Sequence, residues 1–400
     1  MKSLSQKAHA YALKNAIAHD GKAQVGSVIS ALFNEGLKKS EIPKCIKEIS
    51  KIISSVNSMS VEEQKKEFLG LQSKISERHG REGLSELPNA KKGKVIMRFA
   101  PSPSGPLHVG HALTSSLSYL YVKKYGGKFY IRIEDTNPEN ILPEAYKMIE
   151  SDCNWLFKKE AEIIIQSYRM EIYYKYVEKL LKKNAVYVCT CSQNEFEKCV
   201  LEMKNCPCRI SDSKKNNLRW KKMRDKKGFQ PGDAVLRFKS ENGMKDKNPA
   251  FRDFPLARIN ETKHPLQKNK YRVWPLMNLA VAVDDIELGI THAIRAKDHI
   301  DNAKRQEMIH KVLGKRSPWS GFLGRFKFTD IELSKTKIKK AIEEGKYSGW
   351  DDPRLPTLIA LRKKYKPEAF WKFAEQIGIS ENDKVMEKKD FFQLLDNFNK

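Results

Sequence analysis

The 400-residue sequence contains no run of 18 or more apolar residues, so no membrane-spanning helix is expected. Its opening stretch, MKSLSQKAHAYALKNAIAHDGK, lacks the apolar core of a secretory signal, and a cytosolic protein is expected. Acidic residues are in short supply. Against 75 Lys and Arg there are only 49 Asp and Glu, a formal charge of +26. Such a surplus repels itself unless a polyanion neutralises part of it, which points first to nucleic acid; a generally lysine-rich proteome would give the same excess. Cysteines number seven, an odd count that argues against a disulfide framework in a cytosolic chain and for thiols or a metal. No internal repeat and no long low-complexity segment occurs. Hydrophobic residues at 40%, with 10% aromatics, are enough to bury cores, and the length suggests two to four domains.

Residues 1–90 read as helical. Val25, Val28, Ile29, Leu32 and Phe33 recur at helical spacing before Gly36, and Ser60 is placed to cap a helix rich in early acids. A linker, LPNAKKGK, leads to a domain boundary near 92 and the apolar strand VIMRFA. Leu113, Leu117, Leu120 and Tyr121 then mark a helical stripe ended by Gly126 and Gly127, and KFYIRI is the next strand. Strand, helix and strand in so short a span form a βαβ unit and imply a parallel sheet. A lysine-rich section of weak periodicity follows. The runs WPLMNLAVAVDD and GITHAIRA then resume the alternation, so the middle reads as an insertion splitting an α/β domain.

The strand-to-helix turn RFAPSPSGPLHVGH concentrates the chemistry. Pro101 and Pro103 keep the loop extended, and its glycines let a phosphate approach the backbone. Gly105 and Gly110 have the spacing of a phosphate-binding P-loop, but His111-Ala112 stands where Lys-Ser/Thr is required, which excludes that motif. His108 and His111 share one face of the first helical turn, where free N–H groups and the helix dipole favour an anion. Two histidines that merely cap a helix would share this spacing; the glycine and proline setting favours a ligand. In the insertion, Cys189, Cys191, Cys206 and Cys208 form two C-x-C pairs separated by fourteen residues. Four thiolates from two tight turns suit a tetrahedral structural zinc, the alternative being unmetallated cytosolic thiols.

PLHVGH resembles the HIGH signature of class I aminoacyl-tRNA synthetases. With RIEDTNP, ELSKTK at 332–337 and EEGKYSGWDDPRLPTL, the chain resembles the glutamyl branch in its archaeal/eukaryotic form. Glutaminyl relatives carry an Asp-Asp pair where this chain has Glu134-Asp135. The resemblance extends over nearly the whole sequence. It implies an α/β fold: a class I synthetase Rossmann-type parallel sheet split by an acceptor-stem-binding insertion. The implied domains are an N-terminal helical domain (1–92), the first half of the Rossmann catalytic domain (93–187) and the insertion with its zinc knuckle (188–270). The second catalytic half (271–340) and a helical stem-contact segment (341–400) complete the chain.

The implied activity joins glutamate to tRNA through glutamyl-adenylate, with ATP and Mg2+ as substrate and ion and a structural Zn2+. His108, His111 and Lys335 would be catalytic. His108, Gly110, His111, Ser334 and Lys335 would hold ATP. Arg98, Ser102, Glu134 and Arg295 would bind the amino acid, the arginines meeting its side-chain carboxylate and Glu134 its ammonium. Relative to the family's KMSKS loop, Glu332 and Leu333 replace lysine and methionine and Thr336 replaces the last serine, which leaves Lys335 as the main cation. Met277 stands where the resemblance expects a tyrosine. The expected partner is tRNA for glutamate, with tRNA for glutamine as a second candidate, and a monomer is the family expectation. The family normally continues into anticodon-reading β-barrels, which this sequence does not reach; a truncated chain, a split or reduced enzyme, and a shortened paralogue that modifies a tRNA base all fit that ending. A catalytically silent RNA-binding protein is the reading from another class.

Overall fold

The computed structural model describes residues 2–33, 35–75, 83–330 and 335–400, in two units that part between Gly80 and Arg81. The first unit is helical: α1 (Lys2–Ala18), α2 (Val25–Phe33), α3 (Ile42–Asn57) and α4 (Val61–Leu71). Val28 and Leu32 of α2 enter a core with Leu13, Ile49, Ile53 and Val56. Ser60 caps α4 as its sequence position suggests. Its hydroxyl accepts from Glu63 N–H and the Glu63 carboxylate accepts from Ser60 N–H, satisfying two of the free donors of the first turn.

The division falls ahead of the boundary near 92 read from the sequence. Leu87 is buried in the core of the second unit and its N–H donates to the Tyr125 hydroxyl, so the linker residues pack as part of the second unit.

The second unit opens with β1 (Val95–Phe99), α5 (Val109–Tyr125), β2 (Gly127–Ile133), α6 (Ala145–Leu156), β3 (Glu162–Ile165) and α7 (Met170–Lys182). The three strands run parallel in the order β1-β2-β3, as the βαβ reading requires. Gly127 is obligatory at the start of β2: a Cβ there would lie 1.9 Å from the Val95 carbonyl oxygen, at φ +141°. α5 buries far more than the expected stripe, including Ser115, Ser116, Tyr119 and Val122, because strands cover one side and a C-terminal helix another.

The intervening segment contains β4 (Val186–Cys189), α8 (Gln193–Leu201), α9 (Ser213–Arg224), β5 (Val235–Phe238), β6 (Pro255–Ile259) and β7 (Val273–Pro275). Its strands form an antiparallel sheet in the order β4-β5-β6-β7. That sheet shares a core with α7, α9 and the next helix, α10 (Met277–Glu287).

β8 (His292–Ala296), α11 (Ile300–Leu313) and β9 (Trp319–Leu323) restore the parallel pattern. Thr291 N–H donates to the Ile96 carbonyl at 2.9 Å and brings β8 alongside β1, on the side away from β2. The chain ends with β10 (Phe326–Phe328), α12 (Lys335–Glu343), α13 (Leu358–Leu361), α14 (Pro367–Ile377), β11 (Lys384–Met386) and α15 (Lys388–Phe398). The sequence reads as wholly helical from 341. Instead β11 pairs in parallel with β10, and Phe370, Phe373, Phe391 and Leu395 bury themselves in the core around α5. No described helix is long and apolar enough to cross a membrane.

Candidate active site

β1 is flanked by β2 on one side and β8 on the other, so its C-terminal end lies at a switch in chain order. In parallel α/β sheets ligands bind in that crevice. The loop leaving β1 is anchored on both flanks by backbone hydrogen bonds. Glu134 N–H donates to Pro101 O at 2.9 Å and Leu142 N–H to Pro103 O at 2.9 Å. Val109 N–H donates to Pro356 O at 3.0 Å and Leu358 N–H to Leu107 O at 2.9 Å, so the GWDDPRLPTL segment braces the histidine turn.

His108 caps α5. Gly110 N–H donates to His108 Nδ1 at 3.1 Å, and His108 N–H donates to His111 Nδ1 at 3.3 Å. The rings stack with centroids 3.8 Å apart. Burial, then the nearby Lys335 cation, pushes the His108 pKa down to about 3; burial, His108 and Lys335 hold His111 well below its ordinary value. Both imidazoles are therefore neutral. A ring nitrogen that accepts carries no proton, so each ring keeps its hydrogen on Nε2 as a donor.

Lys335, the first residue of α12, reaches the same loop. Its ammonium donates to Gly105 O at 3.3 Å, Ser104 Oγ at 3.4 Å and Ser102 O at 3.5 Å. Burial pulls its pKa down to about 8. Gly105, at φ +150°, leaves room for it, since a Cβ there would stand 3.3 Å from Lys335 Cδ. Glu332, Leu333 and the expected ATP ligand Ser334 lie outside the described residues.

Two cavities open here. One of about 450 Å3 is lined by His108, Gly110, His111, Arg325, Lys327 and Lys384 among others. The other, of about 230 Å3, is lined by Arg98, Glu134, Met277, Arg295, His299 and Gln306 among others. His111, Thr114 and Ala296 line both. Three of the four residues expected to bind the amino acid thus meet in one cavity. Ser102 does not line it: the residue is exposed in the loop, and its carbonyl faces Lys335.

Sequence reasoning missed the network behind the smaller cavity. Arg98, at the end of β1, grips Asp285 through Nε at 3.1 Å and Nη2 at 3.2 Å. Arg132, fully buried in β2, donates to Asp285 at 2.6 Å and Glu134 at 2.9 Å. Arg295 Nη2 donates to Asp285 at 3.3 Å and its Nη1 to Gln306 Oε1. Arg169 donates to Asp284 at 2.7 Å. Burial would raise the Asp285 pKa, but Arg98, Arg132 and Arg295 outweigh it and hold the carboxyl well below the usual range. Burial and the neighbouring Arg98 pull Arg295 down to about 9. The available signal was the acid pair Asp284-Asp285 closing an apolar helical run, since carboxylates there must find cations. Asp135 faces elsewhere, accepting from Ser167 N–H and the Tyr146 hydroxyl.

The four expected zinc ligands meet in the insertion. Their sulfurs all lie within 4.8 Å of one another, with Cys189 and Cys191 each 3.4 Å from Cys206.

Residues 94–397 match the family described as tRNA synthetases class I (E and Q), catalytic domain. The chain is 43% identical over 391 residues to the glutamate–tRNA ligase of Methanothermobacter marburgensis, covering 97% of this chain and 70% of that one. It is likewise 43% identical over 384 residues to the glutamate–tRNA ligase of Pyrococcus furiosus, covering 93% and 67%. A solved glutamate-tRNA synthetase from Elizabethkingia anophelis has the same fold, with a TM-score of 0.54 at 21% identity over 75% of this chain and 70% of that one.

Proposed function

The chain belongs to the class I tRNA synthetases of the glutamate and glutamine type and attaches glutamate to tRNA with ATP; on that premise we propose which of its residues do the work. The larger cavity takes ATP and the smaller takes glutamate. The carrying observation is that His111 lines both, so the phosphorus of one substrate and the carboxylate of the other meet beside it.

A glutamate α-carboxylate oxygen attacks the α-phosphorus of ATP, the new O–P bond forms as the bond to the β-phosphate oxygen breaks, and pyrophosphate leaves. Such a centre asks the protein mainly for positioning and charge stabilisation. The Nε2–H groups of His108 and His111 donate to the phosphate oxygens. Lys335 moves from the carbonyls of the 102–105 loop to the departing pyrophosphate. Mg2+ supplies further neutralisation of the phosphates. Arg98 and Arg295 receive the γ-carboxylate, and Glu134 the ammonium. The terminal ribose of tRNA then attacks the acyl carbon and AMP departs.

The 188–270 insertion and the 341–400 segment face the tRNA. Lys214, Lys215, Lys221, Lys222 and Arg224 are exposed on α9, while Asn216, Trp220 and Met223 turn inward, a division suited to a phosphate backbone. The four cysteines hold a structural Zn2+. Zinc–sulfur bonds of about 2.3 Å place tetrahedral sulfurs about 3.8 Å apart, close to the observed spacing. When bound, the ion ties the end of β4 to the turn at 206–208.

Arg295→Lys tests the assignment of the cavities. A lysine keeps the charge and loses the fork, so the KM for glutamate should rise about 10- to 100-fold with the KM for ATP unchanged. A variant whose ATP KM moved instead would show the cavities to be wrongly assigned.

A further inference from the structure

The ion pairs around the smaller cavity join four guanidiniums, Arg98, Arg132, Arg169 and Arg295, to three carboxylates, Glu134, Asp284 and Asp285. The cluster is short of one negative charge. All seven residues are largely withdrawn from solvent, where an unbalanced charge is expensive. The shortfall falls on Arg98 and Arg295, whose one carboxylate, Asp285, is shared between them and with Arg132; Arg98 holds it through two nitrogens, whereas Arg295, 8% exposed, reaches it through one at 3.3 Å. The Arg295 Nε is buried and has no hydrogen-bond partner among the described residues.

The other side of Arg295 is held by an amide. Gln306, on α11 and 2% exposed, accepts from Nη1 through Oε1. Its Nε2 donates to Asn278 Oδ1 at 3.2 Å, which fixes the amide with its oxygen toward the guanidinium. A glutamate of the same length would fit this position once the Asn278 amide turned its NH2 toward it, and would complete the charge balance. The chain has the neutral isostere.

We propose that Gln306 is a specificity-determining residue for the acidic substrate: it orients the Arg295 fork without neutralising it, and so reserves the missing negative charge for the substrate side chain. The proposal rests on the reading of this cavity as the glutamate site. Met277, Val281 and Ile294 are apolar and Thr114 is neutral, while Arg98 and Arg295 are the lining guanidiniums, so the arginines provide the contact that selects a carboxylate. A neutral side chain such as glutamine's would leave the excess cation buried and unbalanced.

The test compares Gln306→Glu and Gln306→Leu in the full chain, by steady-state attachment of glutamate and of glutamine to tRNA. In Q306E the new carboxylate competes for Arg295. The KM for glutamate should rise about 30-fold, the preference for glutamate over glutamine should fall at least about 10-fold, and the KM for ATP should stay within about twofold. Q306L removes the acceptor but adds no charge. Its glutamate KM should rise only about 3- to 5-fold, with the preference retained. The melting temperature of Q306E should equal or exceed that of wild type, because the substitution balances the cluster.

Unchanged preference in Q306E overturns the proposal, as does equal loss of preference in Q306L, which would mark Gln306 as structural only. An unfolded Q306E would refute the charge count. A wild-type chain that attaches no glutamate would instead refute the reading of the site, and the proposal with it.

Discussion

Lys335 is a cation held where a cation is costly. Its pKa of about 8 in the free protein means the ammonium is lost just above neutrality unless phosphate arrives to stabilise it. Because kcat/KM reports the free enzyme, its value for ATP should fall above about pH 8. Folding stability runs the other way. Burial depresses the folded pKa below the ordinary lysine value, so between the two the unfolded chain binds more protons and stability rises with pH. Lys335→Arg keeps its proton throughout this range and should lose the alkaline fall while lowering the plateau; an alkaline limb unchanged in that variant would remove Lys335 from the phosphate site. The histidine turn was legible in the sequence because glycines and prolines spell out the backbone its chemistry needs. Arg132, Asp285 and Gln306 were not. Their meaning lies in contacts among β2, α10, β8 and α11, and no local spacing encodes such contacts.

Among the elements, the βαβ unit was equally plain, since its helix and strands are long enough for their periods to show. The antiparallel sheet of the insertion was hidden by its brevity. β7 has three residues and β4 and β5 four each, too few for alternation to stand out among lysines. β11 escaped for the same reason, and its pairing with β10 sets Lys384, with Ser380 and Asn382 just ahead of it, in the wall of the larger cavity. The cysteine turn was readable from spacing because four ligands at fixed offsets require no periodicity. Metal binding to such a site is linked to folding. The purified chain should contain about one zinc per molecule, and Cys206→Ser or a strong chelator should remove it and lower the melting temperature. A metal-free protein whose melting curve is indifferent to chelator would leave the four thiols unmetallated.

At the scale of the whole molecule, the charge of +26 and the sheet's switch point carry complementary information. The first points toward a polyanionic partner without locating it, and the second locates a small-molecule site without naming its ligand. What joins them is the parallel sheet, which gathers the histidine turn, Lys335 and the arginine cluster around the C-terminal end of β1, with the basic α9 borne by the insertion. In the function proposed above, this end of the sheet activates glutamate and delivers it to the end of tRNA. Labelled glutamate, ATP, Mg2+ and total tRNA, incubated with wild type and with His111→Ala, test it most directly, with periodate sensitivity reporting whether the 3′ ribose is blocked. Label should appear on that ribose, at a rate at least about a hundredfold lower in the variant. Label on an internal base, or equal charging by the two proteins, would contradict it.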